Sequence, residues 1–367
     1  MAKTLSELTV LYDDDLDGGS YSNSFTKASS NGYDQQYYFL ADSLIGIVSA
    51  WQALGRLDDF TKAKTIIDKT MESLGTVTIN SADYQVWDSP VSPLGNELWD
   101  SKYLRPVCYL LRLMHQSPVF KSGYITWFND MVYFMEHDFW ERYSVQGTNE
   151  QRLYATGPTD LSHRVRIAHD LYIITGKEKY KTFIDTAMFI GADYPKTLEG
   201  SYMTNQLIDI TTPSGQPAYD LDNSFGSGYR VVDGSHVAGM TEQFMLMYEE
   251  GYPGVTYEML LRLKNTYSEI LWTTNDPTDA KLYFNGTGGN SSSTIYTGEQ
   301  ASLGRMNYEF QVKYEDYTTS NVLGYNSTLR FGLLMLGRKI YNDSRPIFPE
   351  IYTPEERRKR RYPKYIA

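Results

Sequence analysis

Helical hydrophobic periodicity, cut at intervals by glycine, runs through the first two thirds of the chain and leaves few folds open. Residues 35–54 place Tyr38, Leu40, Leu44, Ile45, Ile47, Val48 and Trp51 at three- and four-residue steps, which sets apolar side chains along one helical face. Gly55 follows as a C-cap would, and Asp58-Asp59 open a second helix that runs to Gly75. The pair recurs at 100–116 with 121–141, at 160–175 (stopped by Gly176) with 177–194, and at 233–250 (stopped by Gly251) with 256–272. A last apolar helix covers about 326–341. Asp160-Leu-Ser-His163 and Asp233-Gly-Ser-His236 share a D-x-S-H start 73 residues apart, in which Asp or Ser caps the helix by accepting unpaired N–H groups. Repeated hairpins of this kind bury their first helices inside and their second helices outside. The expected fold is therefore all-α, an (α/α) toroid over residues 31–345 as a single domain. An N-terminal extension (1–30) and a C-terminal tail (346–367) flank it. Neither a βαβ alternation nor a glycine-rich dinucleotide fingerprint supports an α/β fold.

The segments 76–99, 142–159, 197–232 and 274–299 are long and polar. Loops beyond about 15 residues in a compact domain are usually functional, and each of these precedes an inner helix, so a toroid gathers them at one mouth. Small Tyr, Ile and Leu runs between Gly and Ser clusters predict short strands within 197–232 and 281–299.

Composition excludes several classes. A net charge of −11 disfavours nucleic acid or an anionic membrane as the main partner, since both require a basic face. No window holds about 18 apolar residues, so no membrane span is expected. Met1–Glu7 lacks the apolar core of a secretion signal, which leaves localisation open between a trimmed exported protein and a cytoplasmic one. The single Cys108 precludes an internal disulfide framework and lies in an apolar run. Aromatic residues make up 14% of the chain, with 32 Tyr among them. Their flat apolar faces and polar edges suit sugar stacking as well as core packing.

Of five His, His163 and His236 stand at equivalent helix starts after long loops, whereas His115 and His137 fall late on their helices. Arg164 and Arg166 follow His163, and Tyr229-Arg230 precedes His236, so imidazole, guanidinium and phenol groups are expected at one mouth. No metal site is expected: His163 and His169 are six apart, off a common helical face, and H-E-x-x-H is absent. Asp13-Asp14-Asp15-Leu16-Asp17-Gly18 opens like a calcium loop, but its twelfth position is Ser24 and not Glu, so an acidic terminus is the preferred reading. The carboxylates Asp88, Glu97, Asp100, Asp160, Asp233 and Glu299 all fall in mouth loops or at helix starts.

With these residues in view, the chain resembles the α/α-toroid polysaccharide lyases, in particular metal-independent alginate (mannuronate) and glucuronan lyases. The resemblance spans about residues 30–345 and rests on Asp160-Leu-Ser-His163-Arg164, on Tyr229-Arg230 through Asp233-Gly-Ser-His236, and on Gly298–Arg305. The Asn-Asn-His motif of one related family is not present. The resemblance implies β-elimination on a uronic-acid polymer without a cofactor. His163, His236, Tyr229, Tyr296 and Arg230 become the catalytic candidates. Arg164, Arg166, Trp87, Trp99, Tyr84, Trp51, Arg305 and Tyr308 become the substrate-binding ones. The alternatives are a glycoside hydrolase on the same scaffold, using paired carboxylates from Asp100, Asp160 and Asp233, and a non-catalytic glycan-binding protein.

Overall fold

A computed structural model describes residues 2–29, 34–89, 92–146, 152–154, 157–191, 202–225, 228–274, 279–290, 298–320 and 327–342. The molecule is mostly helical, with few short strands. Helices α1 (Leu5–Asp15) and α2 (Tyr21–Ala28) come first, joined by a π-helical turn. Thr4 and Glu7 close a reciprocal capping box at the start of α1. The acidic run is engaged rather than open: Arg56 clasps Asp13 with two 2.8 Å bonds, and Asp15 accepts from Ser327 and Thr328.

Then follow α3 (Asp34–Leu54), α4 (Leu57–Met71), α5 (Glu97–His115), α6 (Pro118–Ser122), α7 (Ile125–Phe134) and α8 (Arg142–Val145). The second half holds α9 (Pro158–Thr175), α10 (Glu178–Asp185), α11 (Gly234–Glu250), α12 (Tyr257–Asn265), a 3₁₀ segment at Glu299–Arg305, α13 (Tyr308–Ser320) and α14 (Ser327–Asn342). Gly176 and Gly251 end α9 and α11 in the left-handed conformation, at φ 68° and 75°, where a side chain would be strained.

Neighbour relations among the long helices close on themselves. α3 packs on α5, α5 on α9, α9 on α11, α11 on the 3₁₀ segment, that segment on α14, and α14 back on α3. The second members lie against this circuit: α4 on α3, α10 on α9, α12 on α11 and α13 on α14. Burial follows the same division. α9 and α11 are buried nearly all round, while α4 and α10 bury one face, the usual mark of an inner and an outer helix.

The structure departs from the sequence reading at four places. The 121–141 helix is broken: α6 ends before Gly123, and α7 starts at Ile125 and passes into a π-helical stretch. Segment 76–99 is not all loop. β1 (Gly75–Ile79) pairs antiparallel with β2 (Ala82–Val86), turning through Asn80 and Ser81 at φ 52° and 69°. The strands expected in 197–232 are β3 (Leu207–Thr211) and β4 (Pro217–Leu221), whereas 281–290 contributes isolated bridges, Asp233 to Tyr283 and Lys281 to Asn290. Last, α9 begins at Pro158, ahead of Asp160, because proline at N1 has no N–H to leave unpaired.

Where α14 meets α3 the backbones touch. A Cβ on Gly332 would stand 2.1 Å from the Gly46 carbonyl oxygen, and one on Gly46 would stand 2.3 Å from that of Thr328. Backbone cannot yield as a flexible side chain can. Gly332→Ala is therefore expected to lower unfolding free energy by about 1–3 kcal/mol, the usual range for overpacking. Urea denaturation checks this, and an unchanged midpoint would place the helices farther apart than described.

Candidate functional site

Two adjoining pockets open at the N-terminal ends of α9 and α11. The first, with about 500 Å³ of open space, is lined by Tyr38, Leu98, Lys102, Thr159, Asp160, His163, Ser235, His236 and Glu299. The second, about 570 Å³, shares Thr159, Asp160 and His236 and adds Asn223, Arg230, Val231, Val232, Asp233, Tyr283 and Gly157. α3, α5, α9, α11 and the 3₁₀ segment thus each supply a wall of the first pocket.

The two D-x-S-H histidines both line the first pocket, but in different states. Asp233 is a true N-cap: one carboxylate oxygen accepts the backbone N–H groups of Ser235 and His236 at 3.1 Å, and the other accepts His236 Nδ1–H at 2.6 Å. That hydrogen bond raises the His236 pKa, with further support from the Asp233 and Asp160 charges. Burial works against Asp233, but the His236 and Ser235 hydrogen bonds hold its carboxyl down at about 2. With Nδ1 anchored, Nε2 is the proton-exchanging atom, and 52% of the His236 side chain is exposed.

His163 lies inside α9, because that helix starts two residues before Asp160, and it is 8% exposed. Burial pushes its pKa well below the usual value, and Arg105, Lys102, Arg164 and His236 push the same way. Arg105 Nη1 lies 3.3 Å from His163 Nδ1. A guanidinium only donates, so Nδ1 carries the lone pair and Nε2 carries the proton. His163 is thus a neutral hydrogen-bond donor through Nε2–H. Arg105 in turn ion-pairs with Glu299. Gly239 on α11 makes this cluster possible, since a Cβ there would meet Arg105 at 2.8 Å and Glu299 at 2.9 Å.

Lys102 completes the first pocket. Its ammonium stands 3.4 Å from Asp42 and 3.9 Å from the Tyr38 ring centre. Burial would lower its pKa, but Asp42, Tyr38 and Glu299 outweigh burial and raise it. Burial raises the Glu299 pKa against the pull of Arg105 and Lys102. Asp160 is half-buried between the pockets, and its charge bears on His236 and on the fully buried Arg164. Arg164 lines neither pocket, and its Nε and Nη1 have no hydrogen-bond partner, so its charge acts as a field from beneath the mouth. Among the described residues no group of three or more His, Cys, Asp or Glu is arranged to hold a metal ion.

The other sequence candidates lie elsewhere. Trp51 packs against Phe60 and Phe120, and Trp87 donates its indole N–H to the Thr70 carbonyl at 2.8 Å; both are 1% exposed and present no face to a cleft. Tyr84 stacks on His137 at 4.8 Å. Trp99 is half-buried on the first turn of α5, outside both pockets. Arg166 is paired with Glu242, and Arg305 with Glu249 at 2.8 Å, in the interior. Tyr308 is exposed on α13, edge-on to Tyr341. Tyr229 donates to Asp220 at 2.6 Å, and burial with that carboxylate raises its pKa, away from the phenolate. Arg230 lines the second pocket. Tyr296 lies outside the described residues. Asp100 is bound by Arg142 and Tyr143 at 2.7 Å and is a buried structural anchor.

Sequence reasoning missed Lys102, Tyr38, Arg105 and Asn223. Lys102 and Arg105 sit in the 100–116 run, three residues apart and so on one face of a helix; that spacing was their one visible signal. Comparison with protein-family models, curated proteins and solved structures returns no match.

The Asp233–His236 pair gives a stability prediction with a definite sign. A histidine whose folded pKa is raised adds stability that is complete below the unfolded value of about 6.5 and is lost as pH climbs through the folded value. Asp233→Asn keeps a good N-cap but removes the charge. The stability deficit of this variant should be largest near pH 5–6 and shrink above the folded pKa. The His236 pKa, read by NMR titration, should fall toward about 6.5. A His236 pKa unmoved by the substitution would refute the pairing.

Proposed function

We propose that the chain is a polysaccharide lyase on an (α/α) toroid that cleaves a uronic-acid polymer by β-elimination. The closed circuit of inner helices, with second helices behind it, supports the toroid. The observation that carries the activity is the convergence of two histidines of opposite character on one pocket. His236 is oriented through Nδ1 by a carboxylate, and His163 is neutral with its Nε2–H as donor.

Elimination needs the C5 proton removed from a uronate whose carboxylate charge is first balanced. Lys102 supplies the balancing charge and His163 Nε2–H a hydrogen bond, both to oxygens that gain charge in the enolate. His236, in its neutral form, takes the C5 proton at Nε2. The carbanion electron pair is held in the carboxylate as an enolate. It then forms the C4–C5 double bond as the C4–O bond breaks, and the departing oxygen receives a proton from the His236 imidazolium or the Tyr38 phenol. Atoms and charge balance without a cofactor.

A second reading, hydrolysis, has one observation in its favour. Asp160 and Glu299 share the first pocket, and the Glu299 carboxyl is shifted toward the protonated form, as a general acid requires. Against it, Arg105 already clasps Glu299. Asp233 and Asp100, the other sequence candidates, are committed to His236 and to Arg142 with Tyr143.

Purified protein incubated with polymannuronate, polyguluronate, glucuronan, and neutral mannan and glucan separates the readings. A rise in the ultraviolet band of the unsaturated uronate is expected on one acidic polymer. His236→Gln should lower kcat by about 10²–10⁴-fold, the worth of a general base. The kcat/KM profile should rise with pH through the raised His236 pKa, and Asp233→Asn should move that limb down. New reducing ends on a neutral glycan without the ultraviolet band would overturn elimination and transfer the chemistry to Asp160 and Glu299. Affinity without turnover would leave a binding protein.

A further inference from the structure

Apart from Asp233 and His236, the residues of the second pocket take no part in the chemistry above, and this pocket adjoins the first. Thr159, Asp160 and His236 face both, so a ligand that leaves the first pocket past His236 enters the second. We propose that the two pockets form one cleft for two consecutive acidic sugars, in which Arg230 binds the carboxylate of the residue lodged in the second pocket. The proposal rests on the uronate-lyase reading of the first pocket and narrows its substrate to runs of adjacent uronates.

Arg230 is held by its backbone and open at its side chain. Its N–H donates to Asp222 Oδ1 at 2.8 Å, and its carbonyl accepts the Asn223 N–H at 3.0 Å. These bonds tie both ends of the residue to the 222–223 turn. Its guanidinium makes no hydrogen bond or ion pair among the described residues. An arginine in this state is a ready two-point receptor for a carboxylate.

Three of the acidic groups around it are already engaged. Asp233 has both oxygens occupied by Ser235 and His236. Asp222 Oδ1 takes the Ser224 N–H and hydroxyl as well as the Arg230 N–H, and Asp220 takes the Tyr229 hydroxyl. Asp160 faces both pockets, balanced by His236 and by buried Arg164. Its oxygens are therefore fitted to accept sugar hydroxyls at the junction. Asn223 turns its carbonyl oxygen to the Thr159 N–H and hydroxyl, at 3.3 and 3.0 Å, which leaves its NH₂ group as a second donor beside Arg230.

Geometry also sets where the chain breaks. His236 stands at the junction, so the linkage under attack lies between the two bound residues. The sugar losing its C5 proton occupies the first pocket, over Lys102 and His163. Its neighbour occupies the second, and a neutral neighbour leaves Arg230 without a partner.

The test uses uronate tetrasaccharides and the same oligosaccharides after partial carboxyl reduction, which replaces individual acidic residues by neutral hexoses. Turnover is read by the ultraviolet band and binding by calorimetry on His236→Gln. Wild type should favour the fully acidic tetrasaccharide in KM by about 10–100-fold, the worth of a charged hydrogen bond. Arg230→Gln should erase that preference and leave the partly reduced substrate unchanged, with Arg230→Lys restoring part of it. Equal kinetics of wild type on both substrates, or an equal loss on both in Arg230→Gln, would overturn the proposal. If no uronate is eliminated at all, calorimetry still decides. Arg230-dependent binding of the fully acidic ligand would support the two-residue cleft while removing the lyase reading, and absence of that dependence would overturn the cleft too.

Discussion

Ion pairs buried between the inner helices hold this molecule in register. A guanidinium taken out of water must find a carboxylate or forfeit several kcal/mol of solvation, and the interior holds several. Arg112 on α5 meets Asp170 on α9 at 2.5 Å, and Arg166 on α9 meets Glu242 on α11. Arg305 of the 3₁₀ segment meets Glu249 on α11, and Arg105 on α5 meets Glu299 at the other end of that segment. Each pair joins two elements of the circuit, so sliding α5, α9 or α11 by one turn would strand a charge. Burial works against Glu242, but the fields of Arg166, Arg105 and Arg305 together hold its pKa below the usual carboxylate value. Removing one partner of such a pair typically costs about 3–5 kcal/mol, which makes the circuit cooperative.

The same charges reach the site. Arg105 is a member of the interior pairs and also the group that assigns the proton on His163. The hydrogen bonding of His163 is therefore set by packing in the interior, through Gly239, whose missing side chain leaves room for Arg105, Glu299 and His163 to meet. Two histidines with one local motif are shifted in opposite directions because one is buried, beside a guanidinium, and the other is hydrogen-bonded to a carboxylate. Helix start is the cause. α11 begins directly after Asp233, so that residue caps the helix and grips His236. α9 begins at Pro158, so Asp160 lies within the first turn, unbound to its histidine, and His163 is carried inside.

Much of the helical framework was legible in the chain because helices are local: apolar spacing, the stops at Gly176 and Gly251, and the Asp233 cap each act within a few residues. That His163 and His236 meet at one pocket, with Arg230 in the adjoining one, was legible in outline from their positions after long loops. Lys102 and Tyr38 were not, since a lysine and a tyrosine in amphipathic helices look like ordinary surface and core residues until α3 and α5 are placed side by side. Trp51 and Trp87 failed as cleft residues for the converse reason: an indole signals affinity for flat apolar partners, and Phe60, Phe120, Tyr37 and Tyr103 supplied them.

By itself, then, the sequence determined a mostly helical chain, where several of its helices end, and which histidines stand at helix starts after long loops, because hydrogen bonding and amphipathic spacing are short-range. Tertiary structure alone decided which charges face each other, which imidazole is buried against a guanidinium, and which arginine stands exposed at a pocket. Those properties depend on burial and on distances of a few ångströms between residues up to about two hundred positions apart, such as Arg105 and Glu299, and no local pattern encodes them.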